Sequence, residues 1–281
     1  MDAMDRRQFL RYGMGTFVAC AAGIGGYTWQ VEPHFVETVH RLLPIEHLPA
    51  RLRGNKLVQV SDFHVGPYVD SDYLTSTFRK VRAMNPDIIT ITGDLITYRG
   101  PEQFTQLKSI LKEFPHGRRA TVAILGNHDY GRAWSEPHVA DRVLSEMTSA
   151  GITVLRNEAY DVDGLLLIGM DDLWAGRFVP QEVIRVWQPS RAAIVLCHNP
   201  DALDRPGWGD YVGWVLSGHT HGGQCKPPFL PPPLLPVQNR QYISGELKLS
   251  DGRRVYINRG LGHLLKVRFN VRPEISLFTL V

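Results

Sequence analysis

The sequence predicts an α/β fold, and three observations predict it. From Asn55 onward, short apolar runs alternate with stretches of helical periodicity. Capping and stop residues fall between those stretches, where such a chain must turn. Each of five strand-like runs is followed within three residues by Asp, Asn or His, the placement expected where loops gather at the carboxyl ends of strands.

Taken in order, residues 56–61 read as a strand through Leu57, Val58 and Val60. A helix follows, because Leu74, Phe78 and Val81 share one helical face behind a cap at Asp70 or Ser71. Asn85-Pro86 stops it, since proline disfavours helix in the residue before it. Residues 88–92 are a second strand. Residues 102–114 form a second helix, with Pro101 near its start and Phe104, Leu107 and Leu111 on one side. Residues 121–125 are a third strand, and 137–150 a third helix closed by Gly151. Residues 160–170 suit a hairpin around Asp163-Gly164. The runs 193–196 and 212–216 have the composition of buried strands.

Bulk composition narrows the function classes. The 281 residues are 43% hydrophobic and 21% charged, which excludes a disordered chain. A formal net charge of +3 is too mild to predict a nucleic-acid binder. Three cysteines do not make a disulfide scaffold, and any pairing of Cys197 with Cys225 stays open.

The first 30 residues read as an address and 31–281 as the working domain. Arg6-Arg7-Gln8-Phe9-Leu10-Arg11 precedes a soft, Gly- and Ala-rich apolar stretch that is short for a membrane span. This resembles a twin-arginine signal, with Asp5 standing where Ser or Thr is more usual. The expected partner is the twin-arginine translocase, and the expected location the periplasm or outer face of the cytoplasmic membrane. Whether the segment is cleaved, near Ala19-Cys20-Ala21, or kept as an anchor stays open.

The residues after the five strands carry the chemistry. They are Asp62-Phe63-His64, Gly93-Asp94, Gly126-Asn127-His128-Asp129, Cys197-His198-Asn199 and Gly218-His219-Thr220-His221. Carboxylate, amide and imidazole donors suit Mn, Fe or Zn rather than a soft metal. The glycines before them let the backbone turn sharply and approach a metal.

In this order and spacing, the blocks resemble the calcineurin-like metallophosphoesterases. Asp172-Leu173-Trp174-Ala175-Gly176, Gly222-Gly223-Gln224 and Arg272-Pro273-Glu274 are similar, more narrowly, to the YaeI-type bacterial phosphodiesterases. The resemblance covers about residues 57–281. It implies a four-layer sandwich of two packed mixed β-sheets flanked by helices. It also implies two divalent metal ions, one held by Asp62, His64 and His221, the other by Asn127, His198 and His219, with Asp94 bridging. By the same carry-over His128 faces the phosphate, and Asp129 is expected to orient its ring.

Such a pair of cations, roughly 3.5–4 Å apart, binds phosphate oxygens and acidifies a shared water, so hydroxide is available near neutral pH. Hydrolysis of phosphate esters, phosphodiesters above all, is the expected function. Two other functions compete with it. One is hydrolysis of the pyrophosphate in a UDP-linked lipid sugar of lipid A type, and the other a non-catalytic metal-binding scaffold. His34, His40, His47, His116 and His138 are read as surface or structural. His263 and Trp174 are candidate substrate contacts. So is Phe229, in a proline-rich stretch, 226–236, that reads either as a stiff connector or as an apolar lip meeting a lipid-linked substrate or membrane surface.

Overall fold

The computed structural model describes residues 5–281, so the first four residues of the expected signal lie outside it. The chain runs α1 (Arg6–Gly26), β1 (Glu37–Leu43), β2 (Lys56–Val60), α2 (Ser71–Ala83), β3 (Ile88–Thr92), α3 (Glu102–Leu111), β4 (Ala120–Ile124), α4 (Pro137–Ser149) and β5 (Thr153–Val154). It continues β6 (Glu158–Val162), β7 (Leu165–Gly169), α5 (Pro180–Ile184), β8 (Ala193–Leu196), β9 (Trp214–Ser217), β10 (Gly245–Lys248), β11 (Arg254–Ile257) and β12 (Glu274–Leu280).

Two mixed six-stranded sheets result, ordered β1-β12-β2-β3-β4-β5 and β10-β11-β9-β8-β7-β6. Strands β2, β3, β4 and β5 are mutually parallel, as are β7, β8, β9 and β11. Strand alternation builds three apolar layers. Leu57, Val122, Leu165, Leu167, Ile194 and Leu196 face inward and fill the space between the sheets. Their neighbours Val58 and Ala123 face α2, α3 and α4, and Leu166, Ile168 and Val195 face the opposite outer layer. Each fully buried Leu or Ile contributes about 1.5–3 kcal/mol, so the layers hold the strand ends rigidly in register. The expected four-layer sandwich is therefore present.

One sequence expectation changes, and the N-terminal stretch takes a definite form. The run 212–216 begins as a strand only at Trp214, because Val212 sits exposed before the ladder starts. The scattered glycines of the N-terminal stretch do not prevent a helix: α1 is continuous, and Asp5 caps it, its carboxylate accepting from the Arg7 N–H at 2.5 Å. The described side chains of α1 are exposed, and no helix among the described residues is long and apolar enough to cross a membrane. Contacts with the body start at Thr28, whose carbonyl accepts from the Arg268 N–H at 3.1 Å, and continue at Glu32, which accepts from the Val271 N–H at 2.7 Å. The body thus takes in residues on both sides of position 30.

Candidate metal centre

Carboxyl ends of β2, β3 and β4 in one sheet and of β8 and β9 in the other meet at one edge of the sandwich. The Gln59 amide fastens that edge, donating across the sheets to the Ser217 carbonyl at 2.9 Å. Asp62, His64, Asp94, His219 and His221 all have φ between 48° and 70°. Such left-handed backbone costs a residue with a Cβ about 1–3 kcal/mol and survives only where neighbours over-determine it. It appears here in five of the seven expected ligands. The preceding glycines are forced by crowding: a Cβ on Gly126 would stand 2.2 Å from Asp94 Oδ1, and one on Gly218 2.0 Å from Ser61 Oγ.

The ligand atoms fall into two groups. Asp62, His64 and His221 offer atoms all within 4.8 Å of one another, as do Asp94, His198 and His219. In the first group His64 Nε2 is 2.9 Å from His221 Nε2, and His221 Nε2 is 3.4 Å from Asp62 Oδ1. In the second, His198 Nε2 is 3.2 Å from both Asp94 Oδ2 and His219 Nδ1. Asp94 Oδ2 also lies 3.6 Å from His64 Nε2, so this one oxygen stands between the two groups. That is the position a bridging carboxylate needs.

Two features fit these residues to cations. The first is a pair of facing lone pairs. His198 Nδ1 donates to the Thr92 carbonyl at 2.6 Å, and His219 Nε2 donates to the Pro236 carbonyl at 2.8 Å. Each ring has then used its one neutral N–H, so lone pairs confront one another across 3.2 Å. Only a cation or a proton between them relieves that contact. The second is Asn127, fully buried with neither side-chain Oδ1 nor Nδ2 bonded to any group. A buried amide without a partner is costly unless a ligand is meant to satisfy it.

Electrostatics divide the site sharply. Burial lowers His64 and His221 well below the ordinary histidine value, and lowers His219 to about 3 with His198 adding to the effect. Burial also works against a charged His198, but Asp94 and Asp62 outweigh it and lift that ring to about 10. Asp62 is pushed up to about 7 by burial, whereas Asp94, equally buried, is held well below the carboxylate range by His198, His128 and His64 around it. A raised His198 keeps its proton at neutral pH, and a raised Asp62 gains one as pH falls through 7, so cations must displace both. Metal uptake should therefore release about two protons at pH 6, falling towards about one at pH 8, with weaker binding at the lower pH. Calorimetry in two buffers of different ionisation enthalpy measures this, and uptake without proton release at either pH would contradict it.

The remaining expected residues separate. His128 is only part-buried, its ring 5.0 Å from that of His64 and its N–H on Asp94 Oδ1 at 2.8 Å. Asp129 does not orient it: that carboxylate accepts from the Leu95, Ile96 and Gly126 N–H groups at 2.8, 3.2 and 2.9 Å. Those three bonds clamp the Asp94 and Asn127 loops together, a backbone role in place of the expected contact with the imidazole. Trp174 is half-buried and lies edge-on to His219, ring centres 4.4 Å apart, with Trp134 4.6 Å beyond it. These two rings wall the second group, and Trp134 was not legible because it sits outside every ligand block. His263 is buried and bonds the Tyr68 carbonyl at 2.9 Å, which removes it from the open mouth. Phe229 is wholly exposed at the apex of the proline-rich loop. Cys197 and Cys225 are both free thiols.

Two further buried polar residues lie close to the ligands; Arg268 stands in no motif, whereas Asp172 opens the block Asp172-Leu173-Trp174-Ala175-Gly176. Arg268 is fully buried and donates to the Arg259, Gly260 and Gly262 carbonyls at 3.0, 3.2 and 2.5 Å, fixing the turn that packs on Asp62. Asp172 accepts from the Ala175 N–H at 2.8 Å and is raised to about 6 by burial.

Comparison with known proteins agrees with this geometry. Residues 56–223 match the family model described as calcineurin-like phosphoesterase. The chain is 34% identical to the uncharacterized metallophosphoesterase YkuE of Bacillus subtilis, over 100% of its own length and 99% of that protein. It is 31% identical to the phosphodiesterase YaeI of Escherichia coli, over 99% of this chain and 100% of the relative. It is also 26% identical to the UDP-2,3-diacylglucosamine pyrophosphatase LpxG of Chlamydia trachomatis, over 92% and 93% respectively. With six potential ligands gathered in two triads at the edge of two mixed sheets, and a family match spanning more than half its length, the chain belongs to the calcineurin-like phosphoesterases and carries a dinuclear divalent-metal site.

Proposed function

We propose that this metallophosphoesterase prefers phosphodiesters to monoesters and works outside the cytoplasm, at or near the outer face of the cytoplasmic membrane. The observation that carries the hydrolytic reading is Asp94 Oδ2 standing between the two ligand groups, 3.2 Å from His198 Nε2 and 3.6 Å from His64 Nε2. Two divalent cations (Mn, Fe or Zn suit these donors) would supply Lewis acidity there, neutralising phosphate charge and acidifying a water. The chain's own residues do the rest. Thr92 and Pro236 carbonyls fix the His198 and His219 rings so that their lone pairs face inward. Trp134 and Trp174 exclude water from one side. His128, at the open side, is positioned to stabilise charge on a phosphate oxygen or to protonate the leaving oxygen.

The diester preference rests on arginine. A dianionic monoester gains most from a bidentate guanidinium, and two arginines beside the ligands, Arg259 and Arg268, are committed elsewhere. Arg259 is held by Glu274 and by Glu37, the latter at 2.9 Å, and Arg268 is spent on backbone carbonyls. A matched pair of aryl substrates should show a higher kcat/KM for the diester by about tenfold, on the scale of one lost charge-assisted bond. A higher value for the monoester would remove the preference.

The UDP-lipid-sugar reading draws support from the likeness to LpxG, but a twin-arginine export route would part the enzyme from a cytoplasmic nucleotide substrate. A scaffold that lost turnover would have no reason to keep Asp94, Asn127 and His128 together. The export reading rests on Arg6-Arg7 at the head of an exposed helix. Replacing both by Lys should hold the protein in the cytoplasm, folded and active. A normal periplasmic fraction for that variant would point to another route or to none.

A further inference from the structure

We propose that the loop 226–236 is a membrane-inserting lip, and that the diester hydrolysed beside it is carried on a membrane lipid. The second half rests on the diesterase reading above.

The loop is built to present apolar side chains rather than to bury them. Six of its eleven residues are proline, so it cannot form a ladder or fold back as a helix. Phe229 at its apex has φ 65° and is 105% exposed, an uncommon conformation and an unfavourable exposure for an aromatic residue. Leu230 and Leu234 are 59% and 75% exposed beside it. Leu265, 65% exposed, projects from the neighbouring loop, where the Gln224 amide donates to its carbonyl at 3.0 Å.

Both ends of the lip are fastened to the metal centre. It starts five residues after His221, and its last carbonyl, on Pro236, accepts from the His219 ring at 2.8 Å. Lys226 N–H bonds Phe269 at 2.9 Å, and Arg240 reaches back to the Pro232 carbonyl at 2.8 Å. Sinking Phe229 and its neighbours into hydrocarbon would therefore bring the metal ligands to the depth of the headgroups, where lipid phosphates lie.

Charge supports an anionic bilayer as the occupant. The stretches 222–245 and 252–273 contain no acidic residue, while Lys226, Lys266 and Arg272 flank the apolar tips. Basic residues beside an apolar face are drawn to anionic headgroups. Tyr27 and Pro228 line one cleft, so α1 ends next to the lip; the two acidic residues of that cleft are engaged, Glu37 with Arg259 at 2.9 Å and Glu32 with the Val271 N–H at 2.7 Å. The reaction itself needs no other reagent. Water oxygen bonds to phosphorus, one P–O ester bond breaks, and the departing alcohol oxygen takes the proton, leaving a phosphomonoester and an alcohol.

Two measurements on the full chain test this. In Phe229→Trp, vesicles of phosphatidylglycerol and phosphatidylcholine should shift the added indole emission to the blue, relative to wild type, and brominated acyl chains should quench it. An indole that stays in water overturns the lip, as does a self-association that covers it in sedimentation runs without lipid. For substrate class, the wild-type enzyme is given ethyl and hexadecyl 4-nitrophenyl phosphate, the latter embedded in the same vesicles. A kcat/KM at least about tenfold higher for the hexadecyl ester is expected, since a buried chain adds partition without altering the leaving group. Equal values overturn the lipid substrate while leaving the diesterase reading intact. Turnover of neither ester would instead remove the diesterase reading.

Discussion

Asp94→Asn should reduce turnover of a soluble aryl diester by about three orders of magnitude or more and lower the metal content of the purified protein. Asp94 is the one side chain that serves both ligand groups, its Oδ2 close to His64 on one side and His198 on the other. Its charge also holds His198 in place electrostatically. An amide keeps the shape and most of the hydrogen bonding, including acceptance from the His128 N–H at 2.8 Å, but removes the charge that offsets two cations. The loss should therefore appear without unfolding. Metal analysis beside kinetics and circular dichroism separates these effects, and an active variant retaining two equivalents would refute the bridge.

His128→Ala should behave differently. Turnover should fall by about two to four orders of magnitude, the scale of a lost acid–base or charge-stabilising group. Metal content should stay near wild type, because the His128 ring belongs to neither ligand group and lies part-exposed at the mouth. Its backbone N–H, which bonds Asp94, survives the substitution. If the variant loses metal instead, His128 is a ligand and its assigned position at the phosphate fails.

The metal ligands were legible in the sequence for a physical reason. Strands β2, β3, β4, β8 and β9 are buried on both faces and read as continuous apolar runs, so the polar residue ending each one stands out. What fixes those ligands was not legible. The His219 tautomer is set by Pro236, seventeen residues on in a loop whose path no periodicity reveals. Arg268 acts through carbonyls of a turn, which leaves no pattern in side chains. Asp129 is the carboxylate expected to orient the His128 ring, yet the short helical turn after β4 points it at three N–H groups instead. Strand β1 carries no apolar run because most of it is exposed, and its parallel pairing with β12 joins residues 37–43 to 274–280. Trp174, a candidate substrate contact by sequence, lies edge-on to the His219 ring.

The claim on which the rest depends is that these seven residues hold two cations that act together. The measurement that bears on it most directly is a titration of chelator-treated protein with Mn, following bound metal and aryl diester turnover in the same samples. Activity should be negligible without metal and reach its plateau at two equivalents per chain. A plateau at one equivalent, or turnover that persists in the stripped protein, would contradict it.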